Sequence, residues 1–233
     1  MSLTDIPAAD FADLYLSAHQ QEKTARRTRG WTIPMLKRLR VSGGPVLSVG
    51  CASGADILEL RDHGYDAYGI DLYEPCKAAR AWCRLATTDS IPFEDGRFSA
   101  VVMLEVIEHI PVSQRSHAAQ EIARVLKNGG VLLLATPNRY FPVDEHGEPL
   151  RFHSPFKDET LTTKELEALF HAPAESLTWS GYFQLERFGW AGKIINPCMR
   201  VFDNDLLHRS PLNPHLFLGF KFSNQPPGVK LNR

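Results

Sequence analysis

The chain reads as an α/β protein built on a mostly parallel sheet with helices on both faces, and three observations predict it. Short apolar runs alternate with helical patterns from residue 46 to residue 136. The run Val46-Leu47-Ser48-Val49 stops at Gly50 and is followed by a turn of small residues to Gly54, a helical pattern from Ala55, and a second run ending in Asp71. The segment 131–136, Val-Leu-Leu-Leu-Ala-Thr, is continuously apolar, as a strand buried on both faces must be.

The elements follow in order. The first forty residues are expected to be helical, with Phe11, Leu14, Tyr15 and Ala18 on one stripe and Trp31, Met35, Leu36 and Leu39 on another. The basic run at 23–29 lies between them, either as a solvated helix face or as a cap over a ligand site. Gly43-Gly44-Pro45 breaks the helix before a strand at 46–50. Helix 55–62, strand 66–71, helix 74–83, a short strand near 84–88 and strand 98–104 come next. A helix near 114–127 carries Ala118, Ile122, Val125 and Leu126 on one face, and Lys127-Asn128-Gly129-Gly130 reads as its stop. The prolines at 137, 142, 149 and 155 mark residues 137–160 as loop. Thr162 and Glu165 form a capping box ahead of Leu166, Leu169 and Phe170. Residues 177–185 and 215–222 read as strands, with an irregular region between them.

Composition narrows the class. With 233 residues and 43% hydrophobic content the chain can bury a full core. Its net charge of −1 gives no pull toward nucleic acid or an anionic membrane. No apolar run approaches the roughly 20 residues that span a bilayer. The amino terminus lacks a basic segment followed by an apolar one, so no secretion signal is expected and a cytoplasmic location is. Cys51, Cys76, Cys83 and Cys198 lack zinc-type spacing and read as reduced thiols.

Strand, glycine turn, helix and a strand ending in a carboxylate make a nucleotide-binding βαβ unit. Glycine lets the backbone approach a ligand, and the Asp71 carboxylate suits two ribose hydroxyls. Gly50, Ala52 and Ala55 also fit a relaxed dinucleotide fingerprint, which leaves a dehydrogenase open. Glu105, Glu108 and His109 sit at i, i+3 and i+4 and share a face if helical. They suit a helix start with acids at its positive end, a general base beside the acceptor, or ligands of a divalent cation with His146 or His153. His146 and Tyr140 lie in the 138–160 loop, a candidate recognition loop.

Further segments extend the pattern. Ile91-Pro92-Phe93-Glu94-Asp95-Gly96-Arg97-Phe98, Glu105-Val106-Ile107-Glu108-His109-Ile110, Arg124 to Gly130 and Pro137-Asn138-Arg139 follow in order. With the glycine turn and Asp71, the chain over roughly 40–145 resembles the class I S-adenosylmethionine (SAM)-dependent methyltransferases. The nearest pattern is the group that includes ubiquinone and menaquinone methyltransferases. The resemblance implies a Rossmann-like seven-stranded sheet of order 3-2-1-4-5-7-6 with the last strand antiparallel. It implies a helical cap at 1–42 and a SAM-binding domain at 43–233, with the 138–160 loop and a 186–212 insert on the acceptor side.

Residue by residue, it implies that Gly50, Cys51 and Gly54 pass the methionine part of SAM. Asp71 holds the ribose and Leu72 lies against the adenine. Thr88, Asp89 and Ser90 edge the adenine, and Leu104 and Glu105 border the methionine. His109, Glu105 and His146 are the candidate catalytic residues, with no metal in the preferred assignment. The expected activity is methyl transfer to a small-molecule oxygen. A metal-assisted enzyme acting on RNA 3′ ends or a catechol-like ring, and a binding-only module, are the alternatives. Two departures stand out. Ser48 occupies the place of a usual acid, and Ala52 that of a usual glycine, tolerable if its φ is negative.

Overall fold

The computed structural model describes residues 15–41, 44–139, 160–177 and 215–222. Seven strands form one sheet: β1 (Val46–Val49), β2 (Ala67–Asp71), β3 (Cys83–Leu85), β4 (Phe98–Leu104), β5 (Leu126–Pro137), β6 (Ala174–Ser176) and β7 (His215–Lys221). Their order is β3-β2-β1-β4-β5-β7-β6. All neighbouring pairs from β3 to β5 are parallel, and β7 runs antiparallel to both β5 and β6. This is the order that the resemblance implied.

The pleat sorts β1 into two cores. Leu47 and Val49 join Ile70, Val101 and Met103 on one face, covered by α4 (Val112–Val125) and α5 (Thr163–Phe170). Val46 joins Ala100 and Val102 on the other, covered by α3 (Ala55–Asp62) and the amino-terminal helices. Those helices are α1 (Ala18–Arg27), a π-helical turn (Thr28–Thr32) and α2 (Ile33–Arg38). Trp31 is wholly buried and meets Phe217 of β7 edge-on at 4.9 Å. Burial of Trp31, Met35 and Leu36 matches the second expected stripe. Ala18 is exposed, so the first stripe does not reach it, and Phe11 and Leu14 lie outside the described residues. The basic run is engaged: Arg29 pairs with Glu59 of α3 at 2.6 Å and with Glu22 at 3.1 Å.

Arg124 stitches two of the segments that carried the resemblance. It pairs with Glu121 and Asp95 and donates to the carbonyls of Ile91 and Phe93. The loop 91–95 is thereby tied to α4, and Phe93 is held against Phe98 at 5.0 Å.

The capping box at Thr162 and Glu165 forms as the sequence implied. Several boundaries differ from expectation. Residues 74–83 form turns rather than a helix, closed by i to i+3 bonds from Ala79 to Cys76 and from Trp82 to Ala79. Ala79 is pressed against the Gly54 turn, and Cys83 is drawn into the sheet beside Gly69, which starts β3 earlier than residue 84. Helix α4 ends at Val125, because Leu126 is already extended and pairs with Phe98. The expected helix stop is instead a bulge within β5, with Gly129 at φ 75°. A short strand not expected from the sequence, β6 at Ala174–Ser176, is held by its pairing to Leu218–Phe220 of β7, whereas of the strand expected at 177–185 only Leu177 is among the described residues. Residues beyond 177 in that stretch lie outside the described residues. Among the described residues no helix is long and apolar enough to cross a membrane.

Candidate functional site

Parallel strands align their carboxyl ends, and strand order reverses between β1 and β4, which opens a crevice there. Gly50, Cys51 and Gly54 follow β1. Asp71 and Leu72 end β2, Thr88, Asp89 and Ser90 turn after β3, and Leu104 and Glu105 end β4. The topology therefore brings these residues to one edge of the sheet. Asp71 and the end of β3 are joined directly, since Ala86 N–H donates to the Asp71 carbonyl at 2.9 Å.

The turn after β1 is bent by three left-handed residues: Gly50 at φ 72°, Ala52 at 46° and Gly54 at 77°. The condition set for Ala52 is not met, and its methyl group sits in the region that favours glycine. The Asp71 carboxylate holds it there, accepting from Ala52 N–H at 2.7 Å and from Tyr73 N–H at 3.1 Å. Burial pushes the Asp71 carboxyl above the usual carboxylate range, and those N–H groups oppose the rise. A side chain at Gly50 would strike Val106, with Cγ2 2.3 Å from the Cβ position, and one at Gly54 would strike Ala79 at 2.4 Å. Both glycines thus serve close approach within the protein.

Ser48 gains an unforeseen partner. Its hydroxyl donates to the Asp56 carboxylate in the first turn of α3, and both residues are buried. Asp56 also accepts from Ile57 N–H at 2.9 Å, and burial pushes its carboxyl to about 6. A carboxylate therefore stands beside position 48 after all, supplied from the helix. An acid opening a helix was visible in the sequence, but its pairing with β1 was not.

Beyond β4 the chain takes one turn of 3-10 helix at Ile107–His109. Glu105 precedes it in a left-handed conformation, φ 56°, with its N–H donating to Ala135 at 2.8 Å. Glu105, Glu108 and His109 therefore do not share a helical face. Glu108 is buried and accepts from the Thr136 hydroxyl at 2.9 Å. Burial, then the neighbouring Glu105 charge, push its carboxyl to about 7. Arg115 holds the loop by donating to the carbonyls of Ile110, at 2.9 Å, and Glu108, at 3.3 Å. His109 is half-buried at the end of this turn. Among the described residues no three His, Cys, Asp or Glu side chains converge as a metal site. His146, His153 and Tyr140 lie outside the described residues, as do the 186–212 insert and most of the 138–160 loop.

A methyltransferase-domain family model matches residues 19–190. The chain belongs to that family. With its sheet order it is a class I, SAM-dependent member. It is 31% identical over 137 residues to a Mycolicibacterium smegmatis protein described as a probable SAM-dependent methyltransferase, covering 56% of this chain and 51% of that one. It is 34% identical over 113 residues to the ubiquinone biosynthesis O-methyltransferase of Xanthomonas oryzae pv. oryzae, covering 44% and 46%. The chain thus spans about half the length of these curated relatives. A solved structure, the 1,6-didemethyltoxoflavin-N1-methyltransferase of Burkholderia thailandensis with bound S-adenosylhomocysteine, superposes with TM-score 0.61 at 14% identity, covering 93% of this chain and 87% of that one. At that identity the likeness is one of fold.

The crevice suits an adenosyl group in the chemistry of its donors. It offers one carboxylate at the end of β2, a backbone turn beside it, and half-buried Leu72 next in the chain.

Proposed function

We propose that this chain moves the methyl group of SAM to an oxygen of a small-molecule acceptor. The carrying observation is the Asp71 carboxylate set against the left-handed turn of β1, at the same sheet edge as Glu105 and His109. The relative named for ubiquinone O-methylation supports the acceptor class. A net charge of −1 favours a small molecule over nucleic acid.

In this reading Asp71 grips the ribose hydroxyls and Leu72 covers the adenine, edged by Thr88, Asp89 and Ser90. Backbone at Gly50, Cys51, Gly54, Leu104 and Glu105 borders the methionine. SAM, when bound, supplies a methyl group already activated by a sulfonium, so no covalent enzyme intermediate is needed. Alignment of acceptor and methyl group gives most of the rate. His109 accepts the proton that an attacking hydroxyl must lose, a smaller contribution. Recognition of the acceptor is assigned to His146, the 138–160 loop, the 186–212 insert and the amino-terminal segment 1–42.

The test is transfer of labelled methyl from SAM to a panel of phenols and catechols, with amines as the counter-panel. Label on hydroxyl acceptors, lost in His109→Ala, is the expected result. Transfer to amines alone refutes the oxygen assignment. Absence of SAM binding by calorimetry refutes the whole reading.

A further inference from the structure

Two thiols meet at the turn after β1, and the mechanism uses neither. Cys51 is buried, Cys83 is half-buried at the start of β3, and both are free. They converge over Gly69 of β2, which pairs directly with Cys83. A Cβ built on Gly69 would lie 2.6 Å from Cys51 Sγ, 2.9 Å from Cys51 Cβ and 3.2 Å from Cys83 Sγ. Any side chain at position 69 would force the sulfurs away. Both sulfurs thus lie within about van der Waals reach of one point above Gly69. Cys83 also borders the far end of the turn, with Sγ 3.3 Å from the Cβ position of Gly54.

We propose that two-electron oxidants of the peroxide class link Cys51 and Cys83 into an intramolecular disulfide, and that closing it disables the cofactor turn. The second half rests on the assignment of residues 50–54 to SAM.

Cys83 is the less buried cysteine of the pair, so a peroxide reaches it first. Its thiolate attacks one peroxide oxygen, the O–O bond breaks, and the other oxygen leaves as hydroxide, which takes up a proton to become water. Cys83 is then a sulfenic acid. The Cys51 sulfur attacks the Cys83 sulfur, the S–S bond forms and the S–O bond breaks. That oxygen leaves as a second water, carrying the Cys51 proton. Both thiols are oxidised by one electron each, and one peroxide is reduced to two waters. The neighbouring Cys83 thiol, then burial, hold the Cys51 thiol above its ordinary pKa, so Cys51 resolves rather than initiates.

A disulfide needs its sulfurs about 2.05 Å apart, nearer than two unlinked thiols approach. Cys83 is paired into the sheet and Gly69 lies between, so the turn is the part that moves. Cys51 precedes Ala52, whose N–H holds the Asp71 carboxylate, and a displaced turn carries that bond with it.

The test oxidises the full, reduced chain with hydrogen peroxide, blocks the remaining thiols and maps the peptides by mass. A peptide joining Cys51 to Cys83, with loss of two hydrogens, is expected. SAM affinity by calorimetry should fall at least tenfold and return with a dithiol reductant. Cys83→Ser, or Cys83→Ala should the serine fold poorly, should bind SAM equally before and after peroxide. No peptide joining these two cysteines overturns the proposal. A linked protein that binds SAM as the reduced one does overturns the coupling to the turn. A reduced protein that never binds SAM removes the cofactor assignment and the coupling with it, while the peptide map still decides the disulfide.

Discussion

The carboxylate of Asp71 holds the backbone N–H of Ala52 at 2.7 Å, nineteen residues away, and locks the turn of β1 to the end of β2. One acid thus supports the loop's shape while keeping acceptor capacity for a ligand.

Asp71→Asn keeps an oxygen for Ala52 N–H but removes the charge. SAM affinity by calorimetry should fall about tenfold or more, as for hydrogen bonds to a charged group. The melting temperature should change little. Unchanged affinity would remove Asp71 from the ribose contact.

Ala52 adopts φ 46° without being glycine. That conformation costs a residue with a side chain about 1–2 kcal/mol. Glycine forfeits roughly 0.5–1 kcal/mol through the freedom it gains when unfolded. Ala52→Gly should therefore stabilise the fold by roughly 0.5–1 kcal/mol in denaturant titration. A lower midpoint would mean that the methyl group contributes packing that outweighs its strain.

Asp56 carries a folded-state pKa of about 6 against an ordinary 3.8, with burial as the main cause. The folded protein therefore binds more protons between these values than the unfolded chain. Stability should fall as pH rises from about 4 to about 6 and flatten above. Asp56→Asn keeps an acceptor for Ser48 and should be more stable than the native chain at pH 7.5, though not at pH 4, on the order of 1–3 kcal/mol. Equal pH slopes in the two proteins would contradict this.

Glu108 behaves in the same sense one strand over, with a folded-state pKa of about 7 against 4.5. Its stability cost grows as pH rises through that window, and Glu108→Gln should flatten the curve. Thr136→Val removes the hydroxyl that favours the ionised form. It should destabilise by about 1–3 kcal/mol, and more at pH 8 than at pH 5.5. A loss independent of pH would assign Thr136 to packing alone.

Local pattern was enough for much of the molecule. The apolar run 131–136, the glycine turn, the capping box at Thr162 and the carboxylate closing β2 are written in short stretches of chain, where periodicity and turn chemistry act over a few residues. From these came the α/β class and a crevice beside Asp71. The resemblance added the full strand order.

Contacts between distant residues were decided only in three dimensions. Nothing near residue 48 signals that Asp56 restores a carboxylate there, nor that Glu108 turns to Thr136, because both bonds join different elements. Residues 74–83 carry helical spacing, yet Ala79 against Gly54 and Cys83 beside Gly69 hold them as turns. The glycine at 129 looked like the end of a helix and became a bulge, since pairing of Leu126 with Phe98 began the strand sooner. Local propensity amounts to tenths of a kcal/mol per residue, whereas burying one large apolar side chain contributes about 1.5–3. Where the two conflict, packing sets the boundary, and no single stretch of sequence contains its partner.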